Sequence, residues 1–196
     1  MSWYALFVET GREEQVKKHI HNTMEPSSVG IPYELLIAKR EVRERKNDDF
    51  VIVAKRMFPG YILLETENIL DFYIKIKTRR SEHFLGILRH DGYFKEIRLE
   101  EISNIIYMTD SDGVIGSSDV FVENDRIIVT KGPLAKYDGF IKKIDRRKNR
   151  VTALFMFNGA QHYIDLSVNF IEKYDDMPGK EIPFFANYYF QKARDS

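Results

Sequence analysis

The hydrophobic pattern of this chain changes near residue 110, and that change limits the folds that the chain can adopt. Before it, strand-like runs alternate with helical spacing, as where Val16, Ile20 and Met24 recur every four residues. After it, short strand-like runs alternate with turn residues, and no helical pattern occurs as far as Tyr174. The pattern predicts an α+β protein with two domains of different architecture.

Residues 1–109 are predicted to form an α/β sandwich. A strand over residues 3–8 leads into an amphipathic helix, and two longer strands, over residues 33–45 and 50–64, form a hairpin with a polar tip. Two more helices have their apolar residues at helical spacing, near residues 69–76 and 99–106. Helices interleaved with an antiparallel hairpin favour a layered domain of about 110 residues.

The rest of the chain is predicted to be a linker, a small β-barrel and a tail. Residues 110–119 are rich in serine, aspartate and glycine, which is typical of a linker. Residues 120–175 contain several short strands, and Asn158-Gly159 between two of them is a strong hairpin signal. The extension over residues 176–196 is too aromatic for a solvated end, so we expect it to dock on another surface.

Positive charge is concentrated in the predicted barrel. Residues 126–150 hold nine basic side chains against two aspartates, a net charge of +7, although the whole chain has 30 basic and 30 acidic residues. Such a patch attracts phosphates by counterion release, whereas the alternative is a solvated basic face. The residues predicted to contact nucleic acid are Lys131, Lys136, Tyr137, Lys142, Lys143, Arg146, Arg147, Lys148, Asn149 and Arg150.

The sequence offers no pattern typical of an enzyme. It has no phosphate-binding glycine loop, serine elbow or dinucleotide motif, and the absence of cysteine excludes thiolate chemistry. The five histidines lack the spacing of metal ligands. We therefore expect no catalytic site, metal or cofactor. No signal peptide or long apolar segment is found, so a cytoplasmic protein without membrane contact is expected.

A second unusual feature is the run from Lys55 to Leu64. Pro59 cannot donate to a sheet and Gly60 permits close backbone approach, so the strand that begins here must enter its sheet through a kink. Phe58 and Tyr61 flank the kink. They are either core aromatics or, together with Tyr4, part of an exposed apolar patch.

Three motifs in this order resemble the NusG family of transcription elongation factors, over about residues 2–174. They are Trp3-Tyr4 with the following Gly11 and Glu14, the run Phe58-Pro59-Gly60-Tyr61, and the segment from Ile127 to Leu134 with the following Gly139-Phe140-Ile141. The last is similar to the KOW motif. The resemblance implies an N-terminal NGN domain and a C-terminal SH3-like KOW barrel.

The resemblance also implies partners. The NGN domain would bind the clamp helices of the largest RNA polymerase subunit, through a surface that maps onto Tyr4, Phe58, Pro59, Gly60 and Tyr61. The non-template DNA strand is a further partner of related proteins, for which the candidates here are Arg43, Arg45, Arg79 and Arg80. In this family setting the nucleic acid at the basic residues of the barrel would be nascent RNA, so these are the predicted RNA-binding residues. A linker of about ten residues spans roughly 18 Å, which would keep bound RNA near polymerase.

Departures from the housekeeping pattern indicate a specialised member. This chain has Asn124-Asp125 and Leu134 where housekeeping members have Gly-Asp and phenylalanine, which weakens an expected contact with ribosomal protein S10. Size and the basic turn make it most similar to the LoaP group of processive antiterminators, which recognise a hairpin in nascent leader RNA. One alternative is an adaptor whose KOW barrel binds a ribosomal or termination protein. The other is a ribosome-associated structural protein.

Overall fold

The computed structural model describes residues 1–24, 31–47, 49–79, 82–123 and 126–171, without the side chain of Asp138. The predicted C-terminal extension and Arg80 lie outside these residues. The described part has a mixed α+β fold with an N-terminal half and a C-terminal sheet. No helix within the described ranges is long and apolar enough to cross a bilayer.

The N-terminal half contains the helices α1, α2 and α3 and most of the short strands. The helices are α1 (Glu13–Met24), α2 (Ile69–Thr78) and α3 (Leu99–Met108). The strands are β1 (Ser2–Val8), β2 (Tyr33–Leu36), β3 (Lys39–Lys46), β4 (Asp49–Arg56), β5 (Tyr61–Thr66), β6 (Phe84–Ile87), β7 (Arg89–His90), β8 (Tyr93–Phe94), β9 (Glu96–Ile97) and β10 (Val114–Ile115).

The central sheet of this half has two differently covered faces. Its strand order is β2-β5-β1-β6, and β9 also pairs with β1. Successive side chains of a strand point to opposite faces. Tyr4, Leu6 and Val8 accordingly pack with the buried residues of α1 and α2, whereas Ala5 packs in a second cluster with α3.

Each of the two long strands predicted for the hairpin is divided between two sheets. β3 and β4 pair along their whole length, with the turn at Asn47, while β2 and β5 join the central sheet. Between the two sheets, Met57 N–H donates to Ala38 O at 2.8 Å, and Pro59 and Gly60 separate the end of β4 from the start of β5. The β3-β4 hairpin therefore projects from the central sheet as a separate unit.

The C-terminal sheet has five strands in the order β12-β11-β15-β14-β13. They are β11 (Ser118–Glu123), β12 (Arg126–Lys131), β13 (Ile141–Asp145), β14 (Arg150–Phe157) and β15 (Ala160–Phe170). The expected Asn158-Gly159 turn joins β14 to β15, and both turn residues have positive φ, 54° and 79°. The two edge strands β12 and β13 line one groove, so the sheet curls far enough to bring its edges near each other.

The segment predicted as a linker, 110–119, is hydrogen-bonded to the N-terminal half. β10 pairs in parallel with β3, Lys39 N–H donates to Gly113 O at 2.8 Å, and Ser117 N–H donates to the Glu41 carboxylate at 3.1 Å. Ile115 is buried. In this structure the segment lies along β3, so it does not have the reach of a random coil.

One apolar cluster joins the two halves. It combines Phe58 and the buried face of α3 with residues from β11, β14 and β15, among them Val151 and Phe155. Such a contiguous cluster identifies one packed core. The C-terminal sheet therefore packs directly against the N-terminal half.

Candidate functional site

The kink before β5 is built from backbone and one buried carboxylate. Gly60 has a φ of 85°, a value that L side chains rarely adopt. Its carbonyl accepts from Val8 N–H at 2.9 Å, and its own N–H donates to Glu13 Oε1 at 2.9 Å. A Cβ at this position would lie 3.1 Å from Thr10 Oγ1. Glycine thus lets the chain pass close to the end of β1.

Glu13 holds the kink from the first turn of α1. Its side chain is fully buried, and its second oxygen lies 2.6 Å from Arg56 Nε. Burial raises the pKa of Glu13, but hydrogen bonds from backbone N–H groups, that of Gly60 first, and the charge of Arg56 outweigh burial and lower the pKa overall. The carboxylate is therefore ionised where the kink needs an acceptor.

The kink presents an aromatic surface, which we define as Phe7, Phe58 and Tyr61. Phe7 and Tyr61 face each other across β1 and β5, with ring centroids 5.6 Å apart. Phe157 at the end of β14 covers this surface: its ring stacks on Phe58 at 4.3 Å and meets Tyr61 edge-on at 5.4 Å. Phe58 is consequently only 5% exposed and Phe157 only 1%.

The structure brings Phe58, Pro59, Gly60 and Tyr61 together but places Tyr4 elsewhere. Tyr4 is buried on the opposite face of the central sheet, and its hydroxyl donates to Glu96 at 3.1 Å. Burial, together with the Glu96 carboxylate, raises the pKa of Tyr4. Strand alternation puts Phe7, not Tyr4, beside Tyr61.

Polar contacts surround the aromatic contact between the halves. Lys95 Nζ donates to Asn158 Oδ1 at 2.6 Å, and Gly159 N–H donates to Glu101 Oε1 at 3.2 Å. Two further hydrogen bonds cross the boundary. The Ser167 hydroxyl donates to the carbonyl of Glu41, and the Arg40 guanidinium donates to the carbonyl of Asp165. Burial lowers the pKa of Arg40 although the Asp165 carboxylate opposes this effect, as expected for a cation at a partly dry boundary.

The predicted RNA-binding residues separate into two concave surfaces and a remainder. Arg147, Lys148, Asn149 and Arg150 lie in a groove of about 550 Å³ that they share with Arg43, Glu44, Arg45 and Phe50 of the β3-β4 hairpin. We call this the composite groove, because its walls come from both halves.

The second concave surface, the edge groove, contains Lys142 and Lys143. It measures about 470 Å³ and lies between β12 and β13, with Arg126 on the opposite wall. Lys131, Lys136 and Tyr137 line neither groove; both lysines are exposed, whereas Tyr137 packs edge-on against Phe140 at 5.7 Å. Arg146 lies over the Phe170 ring at 6.0 Å. The predicted patch is thus two surfaces.

Sequence reasoning missed three aromatic members of these sites: Phe7, Phe157 and Phe50. The alternation of β1 could have identified Phe7, because Tyr4 and Phe7 differ in parity along the strand. Phe157 and Phe50 become members only through contacts between the halves, which leave no local pattern. In the part of the chain that the structure describes, no three His, Asp or Glu side chains group as metal ligands would.

Known proteins resemble this chain over both of its halves. The model of a family described as transcription termination factor nusG matches residues 1–106. A transcription termination/antitermination protein NusG from Bacillus subtilis is 25% identical over 176 residues, which cover 88% of this chain and 98% of the relative. The protein of the same name from Rickettsia typhi is 25% identical over 175 residues, 88% of this chain and 90% of the relative.

A solved structure has the same fold. It is titled "Domain interaction in Thermotoga maritima NusG", matches with a TM-score of 0.54 at 20% identity, and covers 85% of this chain and 93% of that one. The match spans residues of both halves, since it exceeds the length of either.

Proposed function

The chain belongs to the NusG family of transcription termination and antitermination proteins, and from this premise we propose that it is a processive antiterminator of the LoaP type. It would bind RNA polymerase with its N-terminal half and nascent leader RNA with basic residues of its C-terminal sheet. In this proposal the sheet is a KOW unit, with Gly132-Pro133 at its first turn and Leu134 buried beneath that turn.

The polymerase contact would be made by the aromatic surface. Phe58 and Tyr61 occupy the positions that the family resemblance assigns to it, and Phe7 extends the surface to solvent with 41% of its area exposed. Aromatic side chains in a shallow apolar site are typical anchors for the face of a partner helix. The clamp helices of the largest polymerase subunit fit this requirement.

The observation that carries the proposal is that Phe58 and Tyr61 of the family motif lie together on one aromatic surface. The stacking of Phe157 on Phe58 adds a condition to it. A helix of polymerase and the Phe157 ring cannot contact the same face of Phe58 at once. The C-terminal sheet must therefore move away before the aromatic surface can bind in full. The apparent affinity for polymerase would then be reduced by the fraction of molecules in which the halves are apart.

The polymerase contact is tested with Phe7→Ala and Tyr61→Ala in the full chain. Both rings lie at the rim of the aromatic surface, so we expect each substitution to weaken capture by RNA polymerase core enzyme about tenfold or more, as for an interface anchor worth about 1.4 kcal/mol. Leu70→Ala is the matched control, because Leu70 is also exposed but lies on α2 at the other face of the sheet.

Phe58→Ala is a weaker test, because it removes a core ring. Replacing a buried phenylalanine by alanine lowers the stability of a protein by about 3–5 kcal/mol. Polymerase capture by this variant is therefore informative only if its circular dichroism spectrum shows a folded protein. Capture of both rim variants at the level of the wild type and the Leu70 control would refute the polymerase contact.

A further inference from the structure

The composite groove has the chemistry of a polyanion site. Five of its eight lining residues are cationic, and the single carboxylate, Glu44, is paired with Lys55 outside the groove. Arg147 and Lys148 are exposed on the C-terminal wall, opposite Arg43 of the hairpin. Cations on two facing walls concentrate positive potential between them.

An exposed aromatic ring lies among these cations. Phe50, near the start of β4, is 59% exposed, and the Arg43 guanidinium lies 4.5 Å from its ring centroid. An exposed ring with a guanidinium beside it is a platform on which an unpaired base stacks. Bases within a duplex are not available for such stacking.

The C-terminal wall is held in one conformation. Asp145 caps the turn by accepting from Lys148 N–H at 3.1 Å, and Asn149 takes the left-handed conformation with φ 51°. The Asn149 carbonyl accepts from Val168 N–H at 3.0 Å. Arg147 and Lys148 therefore extend from a fixed backbone, which reduces the entropy lost on binding a ligand.

The two walls are also joined directly. Arg150 Nη2 donates to the carbonyl of Arg43 at 3.0 Å, between the turn of the C-terminal sheet and the hairpin of the N-terminal half. The groove exists as described only while this hydrogen bond and the packing of Phe157 on Phe58 hold the halves together.

We infer that the composite groove binds a single-stranded segment of RNA, with phosphates on Arg147 and Lys148 and one unpaired base stacked on Phe50. Asn149 adds an amide to the wall, a group that can bond to a ribose 2′-hydroxyl and so favours RNA over DNA. This inference rests on the proposed function for its ligand. It adds that part of the site lies on the N-terminal half, and that RNA binds the arrangement in which the two halves are packed together.

The test measures affinity of the full chain for a labelled oligouridine of about 12 nucleotides, a length within the usual range for such grooves. Phe50→Ala should weaken binding about 5- to 100-fold, in line with the loss of one stacked base. Ile52→Ala is the matched control, because Ile52 is 67% exposed on the same face of β4 and does not line the groove, and it should leave binding unchanged. Phe50→Trp keeps the platform and should keep the affinity.

The C-terminal wall is tested with the double substitution of Arg147 and Lys148 by alanine. We expect weaker binding and a weaker salt dependence. The slope of log affinity against log salt concentration should fall in magnitude by about 1.4, because each phosphate of a single strand that is no longer neutralised removes about 0.7. Alanine at Lys142 and Lys143 removes the same charge from the edge groove and should change binding of this probe much less.

The outcomes separate the inference from the proposed function. The composite groove is refuted if Phe50→Ala binds like the wild type while one of the two double alanine variants, at Arg147 and Lys148 or at Lys142 and Lys143, binds more weakly. RNA would then bind the C-terminal sheet alone. If oligothymidine binds as tightly as oligouridine, the assignment to RNA is refuted. If the wild type does not bind oligouridine in dilute buffer, the composite groove is refuted. The RNA part of the proposed function fails as well only if the same protein also does not bind a labelled RNA hairpin.

Discussion

At the scale of single residues, Glu13 connects the local sequence to the aromatic surface. It begins α1, accepts the N–H of Gly60 and pairs with Arg56, so one carboxylate fixes the end of β4 and the start of β5 relative to the helix. A buried carboxylate is stable only with such partners. The aromatic surface therefore depends on a residue that does not belong to it.

Glu13→Gln is expected to destabilise the protein by about 1–3 kcal/mol at pH 7, the usual result of disrupting a buried polar contact. Because folding lowers the pKa of Glu13, its contribution is complete above the unfolded value of about 4.3 and is lost as the pH falls through the lower folded value. Urea unfolding of both proteins from pH 7 down to about pH 3 measures the difference, which should shrink on acidification. A difference independent of pH would show that the charge of Glu13 does not matter.

The residues of the aromatic surface are predictable from the sequence only in part. Phe58 and Tyr61 are recognisable because Pro59 and Gly60 between them force a kink, which is a local property. The family resemblance assigns Tyr4 to the same surface, but the alternation of β1 turns it to the other face. Whether Phe58 is exposed or core depends on Phe157, about a hundred residues later in the chain, and no local pattern contains that contact.

At the scale of elements, the turn after β12 packs against the start of β11, the first strand of the C-terminal sheet. Gly132 has a φ of 99°, and a Cβ there would lie 2.7 Å from Ser118 Cα and 2.8 Å from Ser117 O. Ser118 in turn accepts from Leu134 N–H at 3.1 Å. The turn thus packs backbone against backbone at the point where β11 begins.

Gly132→Ala is expected to destabilise the C-terminal sheet by more than about 1 kcal/mol, because alanine is strained at this φ and backbone must move to admit its Cβ. Gly139→Ala is the control, since that position has no positive φ and nothing within 4 Å of an added Cβ; it should stay within about 0.5 kcal/mol of the wild type. The midpoint of urea unfolding measures both, and equal midpoints for the two variants would contradict the role of the turn.

Elements with local determinants are the most predictable. The third helix, α3, and the Asn158-Gly159 turn follow from spacing and turn chemistry within a few residues. The division of the long hairpin strands between two sheets does not follow from the sequence pattern, because it depends on tertiary contacts such as Met57 N–H to Ala38 O. The pairing of β10 with β3 likewise depends on residues about 75 positions apart, whereas composition alone indicates a linker.

At the scale of the whole molecule, the apolar cluster shared by the two halves links their arrangement to both proposed binding surfaces. In the two proposals, the aromatic surface binds polymerase when the halves are apart, and the composite groove binds RNA when they are together. If both proposals hold, linkage requires that polymerase and a single-stranded RNA in the composite groove oppose each other to the same degree. The edge groove lies wholly within the C-terminal sheet and is unaffected by the separation.

The most direct test of the account is the affinity for RNA polymerase core enzyme when the contacts between the halves are weakened. Alanine at Arg40 and Lys95 removes polar contacts to Asp165 and Asn158 without changing the aromatic surface. Each of these contacts stabilises the packed arrangement of the halves by about 1 kcal/mol, so its loss raises the fraction of molecules in which the halves are apart. The double variant should therefore bind polymerase about 5- to 30-fold more tightly than the wild type. Alanine at Arg12 and Lys18, which removes equal charge from the α1 region, should change nothing. A folded Arg40 and Lys95 variant that binds polymerase no more tightly than the wild type would contradict the claim that the C-terminal sheet covers the polymerase-binding surface.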